Sequence, residues 1–420
     1  MGCDLGSERT CRARQRCLAR RGVLWLCLPL VVFLAGSGLG ADKGTSLQQR
    51  LESATVLREF STEGAEVHQF KVAKDVVVFL LWKTDSSVVV AYGLDGTRRF
   101  RFGLPDTTFR RLLWFDVSDD GSTLVIAEVL AFESVNMRVF DIGGALRFSL
   151  HTEVEILSSP SGTFFSNRDV DPSPEVLTIY DSLGGRIRSL ARFHAWNCRF
   201  IDNERLFVAR GDTARLVDVR NGQVTRSISL DALRSWTGPP GICLSRSRSL
   251  IAVYNSGGTA GAVQLFTASG DLKWTASYPD RLCTVAIDDR DEWMALQFGN
   301  PGSRSGFVKI VSVPDPAIIY QSEGIDALGS TVFGGHVESS WFSGGLVTIA
   351  APPRAGPLID RNAPAVTVFL AFDVGTRTIG SSTTLPGLYR PARDLPSGPQ
   401  LVRVKPGSPA ALISMPAEER

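Results

Sequence analysis

A polar turn followed by an apolar run returns along this chain at a nearly fixed interval. It reads Ser118-Asp119-Asp120-Gly121-Ser122-Thr123-Leu124-Val125-Ile126-Ala127, and it starts again near 159, 201, 244 and 287. The intervals are 41, 42, 43 and 43 residues. An earlier copy lies near Ala73-Lys74-Asp75, before Val76–Leu81. Repeats of this period are single supersecondary units that cannot bury their own apolar faces and must stack on their neighbours.

A second unit follows each first one: an alternating strand, a turn with Asp or Gly, and another alternating strand. Examples are Val88–Tyr92, Gly93-Leu94-Asp95-Gly96, Thr97–Phe102, and Arg215–Val217 before Asp218-Val219-Arg220-Asn221-Gly222. Period-two alternation places apolar side chains on one sheet face, and Asp-Gly, Asn-Gly and Gly-Gly supply the positive φ of tight hairpins. Four strands per unit of 40 to 45 residues make a propeller blade. The spacing predicts an all-β fold, a seven-bladed β-propeller of four-stranded antiparallel blades near 67–104, 112–150, 154–190, 197–230, 240–278, 282–320 and 327–380. Val56–Phe60, within the N-terminal segment 42–66, is expected to close the ring as an extra strand on the seventh blade.

Ser118-Asp119-Asp120-Gly121 and Ser159-Pro160-Ser161-Gly162 resemble the Ser-Pro-Asp-Gly turn of WD40-like and TolB-like bacterial repeats. Val263–Trp274 is similar to the quinoprotein-type pattern of strand, Gly-containing turn and terminal Trp. The resemblance implies a propeller over 67–380 and specifies no activity.

The ends differ from the middle. Residues 1–22 hold six arginines against Asp4 and Glu8, and Val23–Ala35 is an apolar run of thirteen residues. Small residues follow, from Gly36 to Ala41. A basic block, a short apolar run and small residues read as a secretory signal peptide over 1–41, with an uncleaved N-terminal anchor as the alternative. The expected location is periplasmic or secreted, or membrane-anchored through 23–35. At the other end, 381–420 holds seven prolines and little periodicity, and reads as a tail packed on the surface or disordered.

The chemistry is sparse. Formal net charge is +2 and no basic tract follows residue 22, which disfavours nucleic acid. Cys198, Cys243 and Cys283 read as buried thiols, with one disulfide between two of them left open. The histidines at 68, 151, 194 and 336 show no metal-ligand spacing, and no cofactor is implied. Asp169-Val170-Asp171 and Asp288-Asp289-Arg290-Asp291-Glu292 look like calcium loops, but hairpin capping is the expected role. No nucleophile elbow or phosphate loop is present.

The expected function is therefore a binding scaffold, monomeric, with a protein or small ligand held on the face that carries the loops between second and third strands. Arg304, His336, Arg354 and Leu358 are the candidate contact residues; the last two lie in the irregular 351–364 connection. The alternative is a propeller enzyme, a quinoprotein-like oxidoreductase, lyase or glycosidase, with its site in the central channel.

Overall fold

Val76–Leu81 is a continuous apolar run, and each of its side chains is buried. Val77, Phe79 and Leu81 pack to one side with Val402, Val404 and Leu412. Val76, Val78 and Leu80 pack to the other with Phe115, Val117, Leu124 and Ile126. A strand buried on both faces reads as unbroken apolar sequence, and here the two faces meet different neighbouring sheets.

That geometry repeats around a ring. The computed structural model describes residues 47–416, apart from 84–85, 106–112, 132–133, 153–154, 169–175, 192–196, 234–239, 256–259, 300–304, 323–324, 327–339, 344–345, 352–365, 374–375, 396–397 and 406. The described residues form eight antiparallel sheets, each built on four strands. Seven are continuous in sequence: blade 1 at 66–105, blade 2 at 113–152, blade 3 at 155–191, blade 4 at 197–229, blade 5 at 240–278, blade 6 at 281–321 and blade 7 at 340–386. In blade 6 the short bridge Ile325–Asp326 also pairs with the third strand. Blade 8 takes its inner three strands from Leu388–Leu395, Gly398–Val404 and Ala410–Ser414, and its outer strand from Thr55–Phe60.

Eight buried apolar clusters correspond to the eight junctions between successive blades, blade 8 to blade 1 included. Closure of the ring rests on that last cluster, where Phe60, Phe70, Phe79 and Tyr92 meet.

The count corrects the expectation of seven blades. Residues 381–420 are no tail: 388–414 supply three strands of an eighth blade. The closing strand accordingly pairs with Ala410–Ser414 of blade 8, not with the seventh blade. Proline masked the signal, yet each strand proline sits where a sheet tolerates it. Pro386 ends the outermost strand of blade 7, Pro391 lies on the innermost strand of blade 8 beside a bulge, and Pro399 is near the start of its strand.

One local feature proves the closing strand equivalent to the others. In every blade the outer strand carries one extra residue just past its hairpin: Arg99, Arg147, Ile187, Thr225, Lys273, Ile319 and Gly380 in blades 1 to 7. Leu57 is the extra residue in Thr55–Phe60. A bulge increases local twist and bends the strand, so each blade turns its outer edge the same way. The hairpin glycines at 96, 144, 184, 222 and 270 adopt φ between +65° and +100°, as the tight turns require.

Candidate functional site

The two faces of the ring are built differently. Turns between first and second strands, and between third and fourth, lie on one face; the connections between second and third strands, and between blades, lie on the other.

The turn face is braced by its own polar groups. Ser118, Ser159 and Ser245 accept backbone N–H groups from Thr123, Phe164 and Leu250 at 3.0 to 3.2 Å. Asp288 does the same in blade 6, accepting from Glu292 at 2.7 Å and Trp293 at 2.8 Å. Burial raises the Asp288 carboxyl above the usual range; these amides oppose the rise and the neighbouring Asp289 adds to it. An oxygen so engaged caps a hairpin, in line with the expected Asx role. Asp169 and Asp171 lie outside the described residues. Turns also bond to one another. Ser161 donates to Asn203 at 2.8 Å, Ser247 to Asp291 at 2.6 Å, and Arg248 to the carbonyls of Phe200 and Ile201. Arg248 of blade 5 also ion-pairs with Asp119 of blade 2.

The inner wall consists of the first strand of each blade. Most of its side chains are apolar, but one group of charges links blades 1 to 4. Lys71 Nζ lies 2.5 Å from Asp116 Oδ1 and donates to the Val117 carbonyl at 3.0 Å. Ser158 donates to the other Asp116 oxygen at 3.4 Å. Asp116 is 14% exposed. Burial alone would raise its carboxyl, yet Lys71 and, further off, Arg199 hold it below the ordinary value. Arg199 donates to Asn197 Oδ1 at 3.1 Å and the Cys198 carbonyl at 2.9 Å, while Asn197 donates to the Pro240 carbonyl at 3.0 Å. Beyond them, burial pushes the Cys243 thiol up to about 11 and the Tyr254 hydroxyl to about 12, so both stay protonated at neutral pH. Cys198, Cys243 and Cys283 are free thiols.

At the loop-face end of this wall, His68 is the extra residue in a bulge of the first strand of blade 1. Its ring stacks on Trp82 with centroids 3.5 Å apart and planes 11° apart. A bulge on an edge strand re-aims a side chain, and here it sets an exposed imidazole on an indole at the mouth of the ring.

The four candidate contacts, Arg304, His336, Arg354 and Leu358, lie outside the described residues. In sequence they fall between strands whose described ends reach the loop face. Arg304 belongs to the link between Trp293–Gly299 and Ser305–Ser312. Arg354 and Leu358 belong to the link between Leu346–Ala351 and Val366–Asp373, and His336 to the link from blade 6 to blade 7. Sequence reasoning singled out none of Lys71, Asp116, Arg199, or the His68–Trp82 pair. The first three had a signal: each is a charge flanked by core residues on a first strand, as in Phe70-Lys71-Val72 and Phe115-Asp116-Val117.

Among the described residues no group of three His, Cys, Asp or Glu side chains is placed to hold a metal ion. No described helix is long and apolar enough to cross a membrane.

The chain matches no family model and no curated protein. Solved propellers are similar to it at low identity. Hsv2 of Kluyveromyces lactis is 11% identical with a TM-score of 0.48, over 77% of this chain and 98% of that one. A eukaryotic initiation factor is 11% identical with a TM-score of 0.46, over 78% and 80%. Hydrazine synthase of Kuenenia stuttgartiensis is 16% identical with a TM-score of 0.41, over 59% and 72%. The likeness is one of fold alone.

Proposed function

We propose that this chain is an exported propeller with WD40-like, TolB-like or quinoprotein-like repeats, and that it works as a binding scaffold through its loop face. The observation that carries the reading is the contrast between the faces. On the turn face, serine, aspartate and arginine groups are engaged in capping hairpins and tying blades together. The loop face carries the longer connections and the His68–Trp82 stack. Irregular connections on a regular scaffold are where binding groups concentrate. On the inner wall, Lys71 and Asp116 neutralise one another, which favours a structural role for that charge over an acid–base pair.

The test replaces 352–364 with a short Gly-Ser turn and, separately, changes His68 and Trp82 to alanine. Each protein is used to capture partners from envelope extracts, with melting followed in parallel. Loss of a specific partner at unchanged melting temperature supports the scaffold reading. An identical partner set for all three proteins overturns it. Export is tested separately: the N-terminus of the exported form should lie near Ala41 or Asp42, and a full-length cytosolic product would rule that part out.

A further inference from the structure

The covalent link between blades 8 and 1 is the short segment from Ser61 to Ala65, and it is fastened to blade 1 throughout. The Glu63 carboxylate takes Lys83 at 2.9 Å and both arms of Arg101 at 2.9 and 3.1 Å, with Arg98 at 4.0 Å. The Tyr92 hydroxyl donates to the Ser61 carbonyl at 2.8 Å, and Ala65 N–H to the Thr62 carbonyl at 2.9 Å. Glu63 itself has φ +53° and Gly64 φ +71°. A left-handed backbone at a residue with a side chain costs about 1 kcal/mol or more and persists only where its surroundings hold it. At Glu63 the carboxylate supplies that hold.

We propose that Glu63 is the latch that keeps ring closure within one molecule. With the linker clamped, Thr55–Phe60 reaches only the Ala410–Ser414 strand of its own chain. Without the carboxylate the strained turn keeps only the Tyr92–Ser61 and Ala65–Thr62 hydrogen bonds to oppose its opening. The linker then extends by roughly 3.3 Å per residue, enough to carry the closing strand away from its own blade. Exchange with a second copy rebuilds identical strand contacts, so its enthalpy is nearly neutral and the hinge decides the outcome. The partner that an opened ring would take is thus a second copy of the chain, held off by one carboxylate.

The experiment uses full-length protein in two forms, each with one cysteine added to the native seven. Thr55 and Ser414 are cross-strand partners. One population carries Thr55→Cys and the other Ser414→Cys, so mixing them permits this disulfide only when the closing strand of one chain enters blade 8 of another. With Glu63 intact, cross-linking on oxidation should stay at the level of a control lacking both new cysteines. With Glu63→Gln in both populations it should rise at least tenfold, increase with protein concentration, and coincide with a dimer in light scattering. Arg101→Met should act in the same direction. Equal cross-linking with and without Glu63 overturns the proposal. So does a Glu63→Gln dimer without the cross-chain disulfide, or loss of the sheet signal in both variants, since the latch model requires the ring to survive.

Discussion

The junction between blades 5 and 6 and the junction between blades 8 and 1 do the same job with different materials. At the first, Trp274 is buried and its indole N–H donates to the Val313 carbonyl of the next blade at 2.7 Å. The core around it joins Leu265, Leu282, Val285 and Leu296, and Lys309 lies about 5 Å from the rings of Tyr278, Phe298 and Phe307. At the second, the core is as apolar, but its outer side is open. Arg58 takes the place of Trp274, with its stem 3.6 Å from where a side chain on Gly96 would begin. A groove of ≈ 600 Å³ remains between the closing strand and the blade 1 hairpin, with Val56 and Leu57 exposed at 43% and 40%. At the blade 5–6 junction the outer side is filled by an indole; at the returning strand it is left to an arginine, and ion pairs gather at the hinge beside it.

The largest test of that contrast is deletion. Removing 400–414 takes two strands from blade 8 and bares the apolar faces of blades 7 and 1, and we expect no cooperative unfolding transition by calorimetry. Removing 47–60 leaves seven complete blades and strips Leu47, Leu51 and Phe60 from the core. At about 2 kcal/mol per buried side chain, the loss is roughly 6 kcal/mol, measurable by urea unfolding. A milder effect from the 400–414 deletion would refute the placement of those strands.

Side-chain truncation comes next. Trp274→Ala should cost about 3–5 kcal/mol, the usual range for a buried indole, whereas Arg58→Ala should stay within about 0.5 kcal/mol. Comparable losses at the two sites would show that the seam is filled after all.

Acid sharpens the picture further. Arg101 and then Lys83 hold the Glu63 carboxyl down at about 2, against an ordinary value of 4.5. A depressed carboxylate contributes stability that is complete above its unfolded value and is lost as pH falls through the folded one. The melting difference between wild type and Glu63→Gln should therefore be constant from pH 5 to 7, shrink below about 4.5 and vanish near 2. A difference that persists at pH 2 would mean that the charge is not what holds the hinge.

The smallest effect is expected at the groove. Val56→Ser with Leu57→Ser should shift stability by no more than about 0.5 kcal/mol, because each side chain stays about two-fifths exposed and belongs to no buried cluster. A larger loss would place something over the groove.

Much of this architecture was legible beforehand. The six regular repeats announced themselves through hairpin glycines and apolar runs, because both are local requirements. Blade 8 did not, although Leu401-Val402-Arg403-Val404 and Ala410-Ala411-Leu412-Ile413 are ordinary strand sequences. Prolines at edge and bulge positions disguised it, and edge positions are defined only once the neighbours are known. The inner charges were hidden for a related reason. Lys71 and Asp116 lie on adjacent blades, and nothing in either strand alone tells which residue faces it across the junction.

Ring closure also sets a schedule. Arg50 donates to the Pro416 carbonyl across 366 residues of sequence. At roughly 5–20 residues per second of synthesis, the partner of the closing segment emerges some 20 to 70 s after it. Throughout that interval the side of blade 1 that carries Phe70, Val77, Phe79 and Leu81 has no blade against it. Contacts between such distant segments also form slowly even in a complete chain. The nascent protein therefore waits with one apolar face uncovered, the condition in which an incomplete chain is most open to association with others.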